Sequence, residues 1–232
     1  MSNWAIIVAA GRSIRFGDSL PKQFHEVAGK PLLAWTIAAF EKAEQIDQIV
    51  VVTSQEFQLF VAKTVIDKYK FKKVYKIVIG GASRRESVLN ALKVVPKSAK
   101  IVAIHDGVRP LVHAEDINRV VEAANRHQAA TLAVPVKDTV KQVDGDVIVK
   151  TLERDEIWLA QTPQAFEYKL ILKAHEEFAA KGEGNSATDD AMLVENKGIK
   201  VKVIEPSSNN IKVTTPEDLA FVESVLRKRI SD

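Results

Sequence analysis

Short runs of Val, Ile and Ala, apolar at nearly every position, recur along this chain and alternate with longer stretches of helical periodicity. The runs at 5–10, 49–53, 74–79, 101–105, 131–135 and 201–204 read as strands. A strand that is apolar at consecutive positions buries both of its faces, the pattern of a parallel sheet covered by helices. Between the runs lie helical patterns at 32–43, 55–70, 86–95, 114–127, 167–180 and 216–230. The last opens with Thr215 as N-cap, Pro216 at the first helical position and Asp218 in the first turn. The alternation predicts an α/β fold built on a doubly wound, mostly parallel sheet of Rossmann-like kind. A chain of 232 residues, 46% of them hydrophobic, can bury one sizeable core, so a single domain over 1–232 is expected.

The segment 138–154 breaks the rhythm. Asp144-Gly145 stands between two alternating, β-branched runs, a strong hairpin signal. An antiparallel hairpin does not slot simply into a parallel core, so it is expected to project as an arm. A lone two-stranded hairpin is marginal in water, which predicts that the arm packs on a partner subunit.

Charge and composition exclude several classes. The balance of 33 basic and 30 acidic side chains, net +3, gives no case for nucleic acid, and Arg227-Lys228-Arg229 reads as a solvated helix end. There is no cysteine, which rules out disulfides and cysteine-based zinc sites. The chain opens in a strand and carries no apolar run of membrane-spanning length, so a cytoplasmic protein with no membrane partner is expected. The histidines show no metal-binding spacing, and there is neither a G-x-S-x-G elbow nor a Walker loop.

Three strand ends carry candidate chemistry. Ala9-Ala10-Gly11 follows the first strand, with Arg15 and Lys22 in the loop beyond; small residues let backbone N–H groups approach an anion, and the cations suit a polyphosphate. Gly80-Gly81 ends another strand and opens a helix that carries Ser87; a plain turn with Ser83 as N-cap explains the same residues. Asp106, in His105-Asp106-Gly107-Val108-Arg109-Pro110, stands where ligands bind in open α/β sheets and could serve Mg²⁺ beside a triphosphate, although Asp-Gly is also ordinary turn chemistry. Thr139, Arg154, Thr162, Thr188 and Lys212 are scattered, and spacing alone does not select them: the first two fit hairpin surface, Thr162 and Thr188 fit N-caps, and Lys212 fits a solvated strand.

The order of the motifs carries more. Ala-Ala-Gly-x-x-x-Arg, Pro-Lys-Gln, Gly-Gly-x-x-Arg-x-x-Ser-Val, His-Asp-x-x-Arg-Pro, Asp-Thr, Gln-Thr-Pro-Gln, Thr-Asp-Asp and Asn-Ile-Lys-Val-Thr follow one another along the chain, in a match that runs from Ala9 to about Leu219. Together they closely resemble the 2-C-methyl-D-erythritol 4-phosphate cytidylyltransferases of the non-mevalonate isoprenoid pathway. The resemblance implies that CTP and methylerythritol phosphate react, with Mg²⁺, to give the CDP-alcohol and pyrophosphate. It places Ala9, Ala10, Gly11, Arg15 and Lys22 at the triphosphate, and Gly80, Gly81 and Ser87 at cytosine and ribose. Asp106 falls at metal and substrate, and Arg109, Thr139, Arg154, Thr162, Thr188 and Lys212 at methylerythritol phosphate. Arg15, Lys22, Arg154 and Lys212 would be the catalytic cations. The resemblance also implies a homodimer whose hairpin arms complete one another's sites.

Two positions depart from the family's common pattern. Ser13 stands where many members have a second glycine, and Gly107 where many have Ala, a change expected to loosen the turn after Asp106. The rival readings are a ribitol-5-phosphate cytidylyltransferase and a non-catalytic nucleotide-binding module. Members of the former tend to have Ala-Gly-Gly at Ala9-Ala10-Gly11, and a module of the latter kind need not keep Arg15, Lys22, Asp106 and Lys212 together.

Overall fold

The computed structural model of the chain describes residues 2–11, 20–181 and 187–231. Arg15 and Ser13 lie outside the described residues. Strand β1 (Trp4–Val8) runs at the centre of a seven-stranded sheet. It pairs in parallel with β4 (Gln48–Thr53) on one side and β6 (Ile101–Asp106) on the other. Beyond β4 lies β5 (Val74–Ile79); beyond β6 come β10 (Trp158–Glu167), β7 (Ala129–Pro135) and β11 (Lys202–Ile204). All pairings are parallel except those of β10, which runs antiparallel to both β6 and β7. The sheet is therefore mostly parallel and mixed, with one reversed strand among the six parallel ones.

Helices cover both faces: α1 (Leu32–Lys42), α3 (Arg84–Leu92), α4 (Ala114–His127), α5 (Tyr168–Ala180) and the short α6 (Asp190–Glu195). Between β4 and β5, α2 (Gln58–Phe60) continues as a π-helical segment, Val61–Asp67. Side chains of the central strands alternate between two cores. Ala5, Ile7, Val51 and Ala103 pack with α1 and α4, while Ile6, Val50, Val52 and Ile104 pack with α3 and α5. Ile6 and Ile7 are adjacent, wholly buried and on opposite faces, and each such side chain stabilises the fold by about 1.5–3 kcal/mol. A third cluster, including Leu32, Leu111, Val213 and Val222, seats α7 (Pro216–Ser231). Thr215 and Asp218 exchange contacts at its start, as a helix N-terminus requires: the Asp218 N–H faces Thr215 Oγ1 at 3.4 Å, and the Thr215 N–H donates to the Asp218 carboxylate at 2.9 Å. Among the described residues no helix is long and apolar enough to cross a membrane.

Several elements differ from the sequence expectation. β10 and α6 were not expected, nor was the small pairing of β2 (Glu26–Val27) with β3 (Lys30–Pro31). The run at 74–79 was expected to be buried on both faces. As the outermost strand it leaves Tyr75 60% and Ile79 42% exposed. Helix α3 begins at Arg84 rather than at 86, because Ser83 caps it by accepting the Glu86 N–H at 3.1 Å.

The segment after β7 forms a hairpin of β8 (Lys141–Asp144) and β9 (Val147–Thr151), which among the described residues pair only with each other. Its loop is Gly145-Asp146, one residue later than the Asp-Gly pair suggested; Gly145 takes φ +58°, a conformation that suits glycine. Val143, Val147, Ile148 and Val149 are each more than half exposed on it.

Candidate active site

The parallel register brings three strand ends level. Val8 pairs with Val52 of β4 and with Asp106 of β6, so the turns that follow all open at one edge of the sheet. Backbone hydrogen bonds sew them together: the Ala9 N–H donates to Val52 O (2.7 Å), the Gly80 N–H to Thr53 O (2.9 Å) and the Gly107 N–H to Val8 O (2.8 Å). The edge flanks β1, from which the chain goes to β4 on one side and β6 on the other, the switch point where open α/β sheets bind ligands. Beside Ala10 and Gly11 a cavity of about 410 Å³ opens towards Pro21 and the turn of Ser54–Phe57.

The first two loops depend on each other. A Cβ on Gly80 would stand 2.6 Å from the Ala10 Cβ and 2.8 Å from Ser87 Oγ, so only glycine lets them close. Ser87 is buried; its hydroxyl donates to Ser83 O (2.9 Å) and accepts the Gly81 N–H (3.1 Å). It thus shapes the Gly80-Gly81 turn at the start of α3. Gln23 performs the matching task for Ala9–Gly11. Its buried amide donates to Ala9 O (2.8 Å) and Gly11 O (3.0 Å). Phe24 is buried against Phe57 and Phe60, and the single helical turn Lys22–Phe24 therefore holds Lys22 beside the opening loop.

Asp106 is the centre of the third cluster. It is 7% exposed. One carboxylate oxygen faces Arg84 Nε (3.1 Å); the other faces Lys212 Nζ (2.9 Å) and, in a longer ion-pair contact, Arg109 Nε (3.5 Å). Burial alone would raise the Asp106 pKa, but Arg84, Lys212 and Arg109 hold it well below the usual carboxylate range. Arg84 reaches on with Nη1 to Asp190 (2.7 Å), whose other oxygen meets His175 Nε2 (3.1 Å). Burial would lower the Arg84 pKa, and the two carboxylates more than offset it. Burial lowers that of Arg109, which donates to Asn210 O (2.8 Å).

The backbone of Asp106 is fixed from below. Its N–H donates to Thr162 Oγ1 (3.1 Å), and Thr162 Oγ1 also lies 3.0 Å from His105 Nδ1. His105 Nε2 can only donate to Arg109 O (3.2 Å). Burial pushes the His105 pKa down to about 3, so the neutral ring carries its proton on Nε2 and the Thr162 hydroxyl donates to Nδ1. Thr162 is thus committed to holding Asp106 in place.

The expected residues fall into separate groups. Ala9, Ala10, Gly11, Gly80, Gly81 and Ser87 form the joined turns, with Lys22 beside them. Asp106, Arg109, Thr162 and Lys212 form the charged cluster. Thr188 is exposed just before α6, where Asp189, not Thr188, caps the helix by accepting the Met192 N–H (3.0 Å). Thr139 is exposed near the hairpin, and Arg154 at its base donates to Lys137 O (3.2 Å). Among the described residues no hydrogen bond or ion pair links Thr139 or Arg154 to the Asp106 cluster. Gly107 does not loosen its turn: a Cβ there would meet Ala9 Cβ and Val8 O, each at 3.0 Å. Gln23, Arg84, Gln164, His175, Asp190 and Asn210 had been given no role. All but His175 sit inside the quoted motifs, which was the one available signal.

Asp106 offers the hard carboxylate oxygen that magnesium prefers. Among the described residues no group of three potential ligands surrounds it, and both of its oxygens face cations. The donor type fits magnesium as a companion of bound phosphates, which would bring most of the ligands themselves; it does not form a protein cage.

The sequence model of the 2-C-methyl-D-erythritol 4-phosphate cytidylyltransferases matches residues 4–228. The chain is 49% identical to a protein of that name from Caldanaerobacter subterraneus subsp. tengcongensis, over 97% of this chain and 98% of the relative. It is 41% identical to one from Geobacter metallireducens, over 99% and 100%. Its fold superposes on the crystal structure of 4-diphosphocytidyl-2C-methyl-D-erythritol synthase from Anaerococcus prevotii with a TM-score of 0.85, at 32% identity, covering 97% of this chain and 96% of that one. These matches run through every strand end that builds the site, from β1 into α7, and the chain belongs to the 2-C-methyl-D-erythritol 4-phosphate cytidylyltransferase family.

Proposed function

We infer that this protein transfers a cytidylyl group from CTP to 2-C-methyl-D-erythritol 4-phosphate, releasing pyrophosphate, as an enzyme of the non-mevalonate pathway. The family match over nearly the whole chain carries this reading. A phosphate oxygen of the acceptor attacks the α-phosphorus of CTP; the new P–O bond forms as the bond to the β-phosphate oxygen breaks. The acceptor phosphate has a second pKa of about 6 and is mostly dianionic at neutral pH. No general base is required.

The obstacle is negative charge on nucleophile, α-phosphate and leaving group together, so the protein's part is positioning and charge stabilisation. The joined turns Ala9–Gly11 and Gly80-Gly81, with Ser87, would hold the nucleotide, and Lys22 with Arg15 would face the triphosphate. Lys212 and Arg109, already drawn in by Asp106, would meet the acceptor phosphate, and Asp106 would take an acceptor hydroxyl. Asp106 would offer a carboxylate oxygen to magnesium beside the triphosphate, where the ion would neutralise part of its charge.

Thr139 and Arg154 are proposed to act across a homodimer, the hairpin of one subunit reaching the site of the other. The exposed apolar side chains of the hairpin, with Trp158 and Leu159 at 39% and 57% exposure, support that reading. Thr188 is proposed to complete the acceptor site beside Asp189. A cytoplasmic setting is proposed with this activity.

Pyrophosphate release from CTP, measured with each acceptor in turn, tests the assignment. Release with methylerythritol phosphate and not with ribitol 5-phosphate is expected. The reverse preference would move the protein to the ribitol reaction, and CTP binding with no release in the presence of either acceptor would leave a nucleotide-binding module.

A further inference from the structure

A second carboxylate lies behind the reacting cluster, where no substrate group is assigned. The Asp190 side chain is 2% exposed and sits in the first turn of α6. Gln164 of β10 ties that turn down: its Oε1 accepts the N–H groups of Asp190 and Ala191, each at 3.0 Å, and its Nε2 donates to Asp189 (2.8 Å). The backbone of Asp190 is thereby held independently of its side chain. The two carboxylate oxygens have separate partners, Arg84 Nη1 at 2.7 Å and His175 Nε2 at 3.1 Å.

His175 comes from α5 and is fully buried, and its Nδ1 has no hydrogen-bond partner among the described residues. A buried ring nitrogen without a partner is costly, and among the described residues the bond to Asp190 is the one polar contact that the imidazole makes. Arg84 differs again. A guanidinium beside a carboxylate commonly closes on both oxygens in a parallel fork. Arg84 instead spends Nε on Asp106 and Nη1 on Asp190, two carboxylates on β6 and α6. Two anchors in different directions fix the plane of the guanidinium. With Arg84 pinned to one Asp106 oxygen, the other is left to Lys212.

We propose that Asp190, held in place by His175, is a positioning residue: it fixes Arg84, and through Arg84 the orientation of the Asp106 carboxylate towards Lys212 and the acceptor. The kinetic half of this inference rests on the cytidylyltransferase reading; the structural half does not.

Two measurements separate them. Solvent exchange of the Arg84 side-chain Nε proton, followed by NMR in the free protein, reads the anchoring directly. Asp190→Asn removes the anchor on Nη1 and is expected to let the Nε bond to Asp106 open more often, accelerating the exchange about tenfold or more. His175→Leu is expected to accelerate it about threefold, and His175→Gln, which keeps a donor, to leave it near wild type. In steady-state pyrophosphate release, Asp190→Asn should lower kcat about tenfold with the KM for CTP within about twofold of wild type. The double variant Arg84→Lys with Asp190→Asn should be no slower than Arg84→Lys alone, because two residues acting as one unit do not add. Unchanged Arg84 exchange in Asp190→Asn, or losses in the double variant that multiply, would overturn the proposal. Should Asp190→Asn fail to fold, the two His175 variants decide it by the same exchange. A wild-type protein that releases no pyrophosphate would overturn the assigned reaction while leaving the Arg84 exchange comparison to decide the positioning role.

Discussion

Lys22 and His105 show how position decides what an ionisable side chain does. Lys22 is half-buried on a single helical turn, between Pro21 and the buried Gln23 that holds the opening loop. Truncating it removes a charge without opening the core. Lys22→Ala is expected to lower kcat by about 10²-fold, the scale of one lost group that stabilises developing negative charge, with thermal unfolding unchanged. Pyrophosphate release at saturating CTP checks this, and a near-wild-type rate would remove Lys22 from the mechanism. His105 lies one residue before Asp106 and is wholly buried and neutral, its pKa pushed down to about 3 by burial. The unfolded chain binds a proton at this residue below its ordinary pKa of about 6.5 and the folded chain does not. Its contribution to stability is therefore complete above that pH and declines as the pH falls towards 3. Urea unfolding between pH 6.5 and 4 should show stability falling with acid at a slope approaching about 1.4 kcal/mol per unit. His105→Gln should flatten the slope, and an equal slope in the variant would assign it to other groups.

The turns at the strand ends act as elements, because each is built against its neighbour. Gly80 shows the tightest fit, with Ala10 and Ser87 both within 3 Å of where a Cβ would stand. Gly80→Ala must push the two loops apart; it should cost about 1–3 kcal/mol as overpacking does and raise the KM for CTP about tenfold through misplacement of the nucleotide. Urea unfolding and CTP titration read the two effects, and an unchanged KM would show that these turns do not hold the nucleotide. The paired glycines were visible in the sequence, but a plain turn explained them as well, and only the order of motifs set them apart. The central strands were readable because burial on both faces writes itself as an unbroken run of Val and Ile. β10 was hidden because its middle reads Gln161-Thr162-Pro163-Gln164, polar and interrupted by proline, with its register to β7 shifting between Ala160 and Gln164. A six-residue helix such as α6 is too short to show a period. The outer strands were mistaken for inner ones, because position in a sheet depends on pairing partners that lie far away in the chain.

The molecule as a whole supplies what no local pattern could. Arg84 and Asp190 are 106 positions apart and meet at 2.7 Å; neither residue announces the other. The fold also separates residues that the resemblance grouped. Asp106, Arg109 and Lys212 converge, while Thr139 and Arg154 stay with an exposed hairpin that has no sheet beneath it. A hairpin carrying Val143, Val147, Ile148 and Val149 in the open gains little on its own and exposes the kind of patch that marks an interface. A second copy of the chain satisfies both facts if each arm serves its partner's site. Mixed dimers distinguish that arrangement from an arm that serves its own subunit. In a heterodimer of Lys22→Ala and Arg154→Ala subunits, action across the interface leaves one site with Lys22 from one chain and Arg154 from the other, and a second site with neither. Random pairing makes half of the dimers mixed, so about a quarter of all sites are restored in a twofold-symmetric dimer. Remixing the two inactive variants should therefore recover about a quarter of the wild-type rate of pyrophosphate release, rising with the heterodimer fraction counted by native mass spectrometry. If each arm served its own subunit, every site would lack one of the two cations, and the mixture would stay at the level of the separate variants.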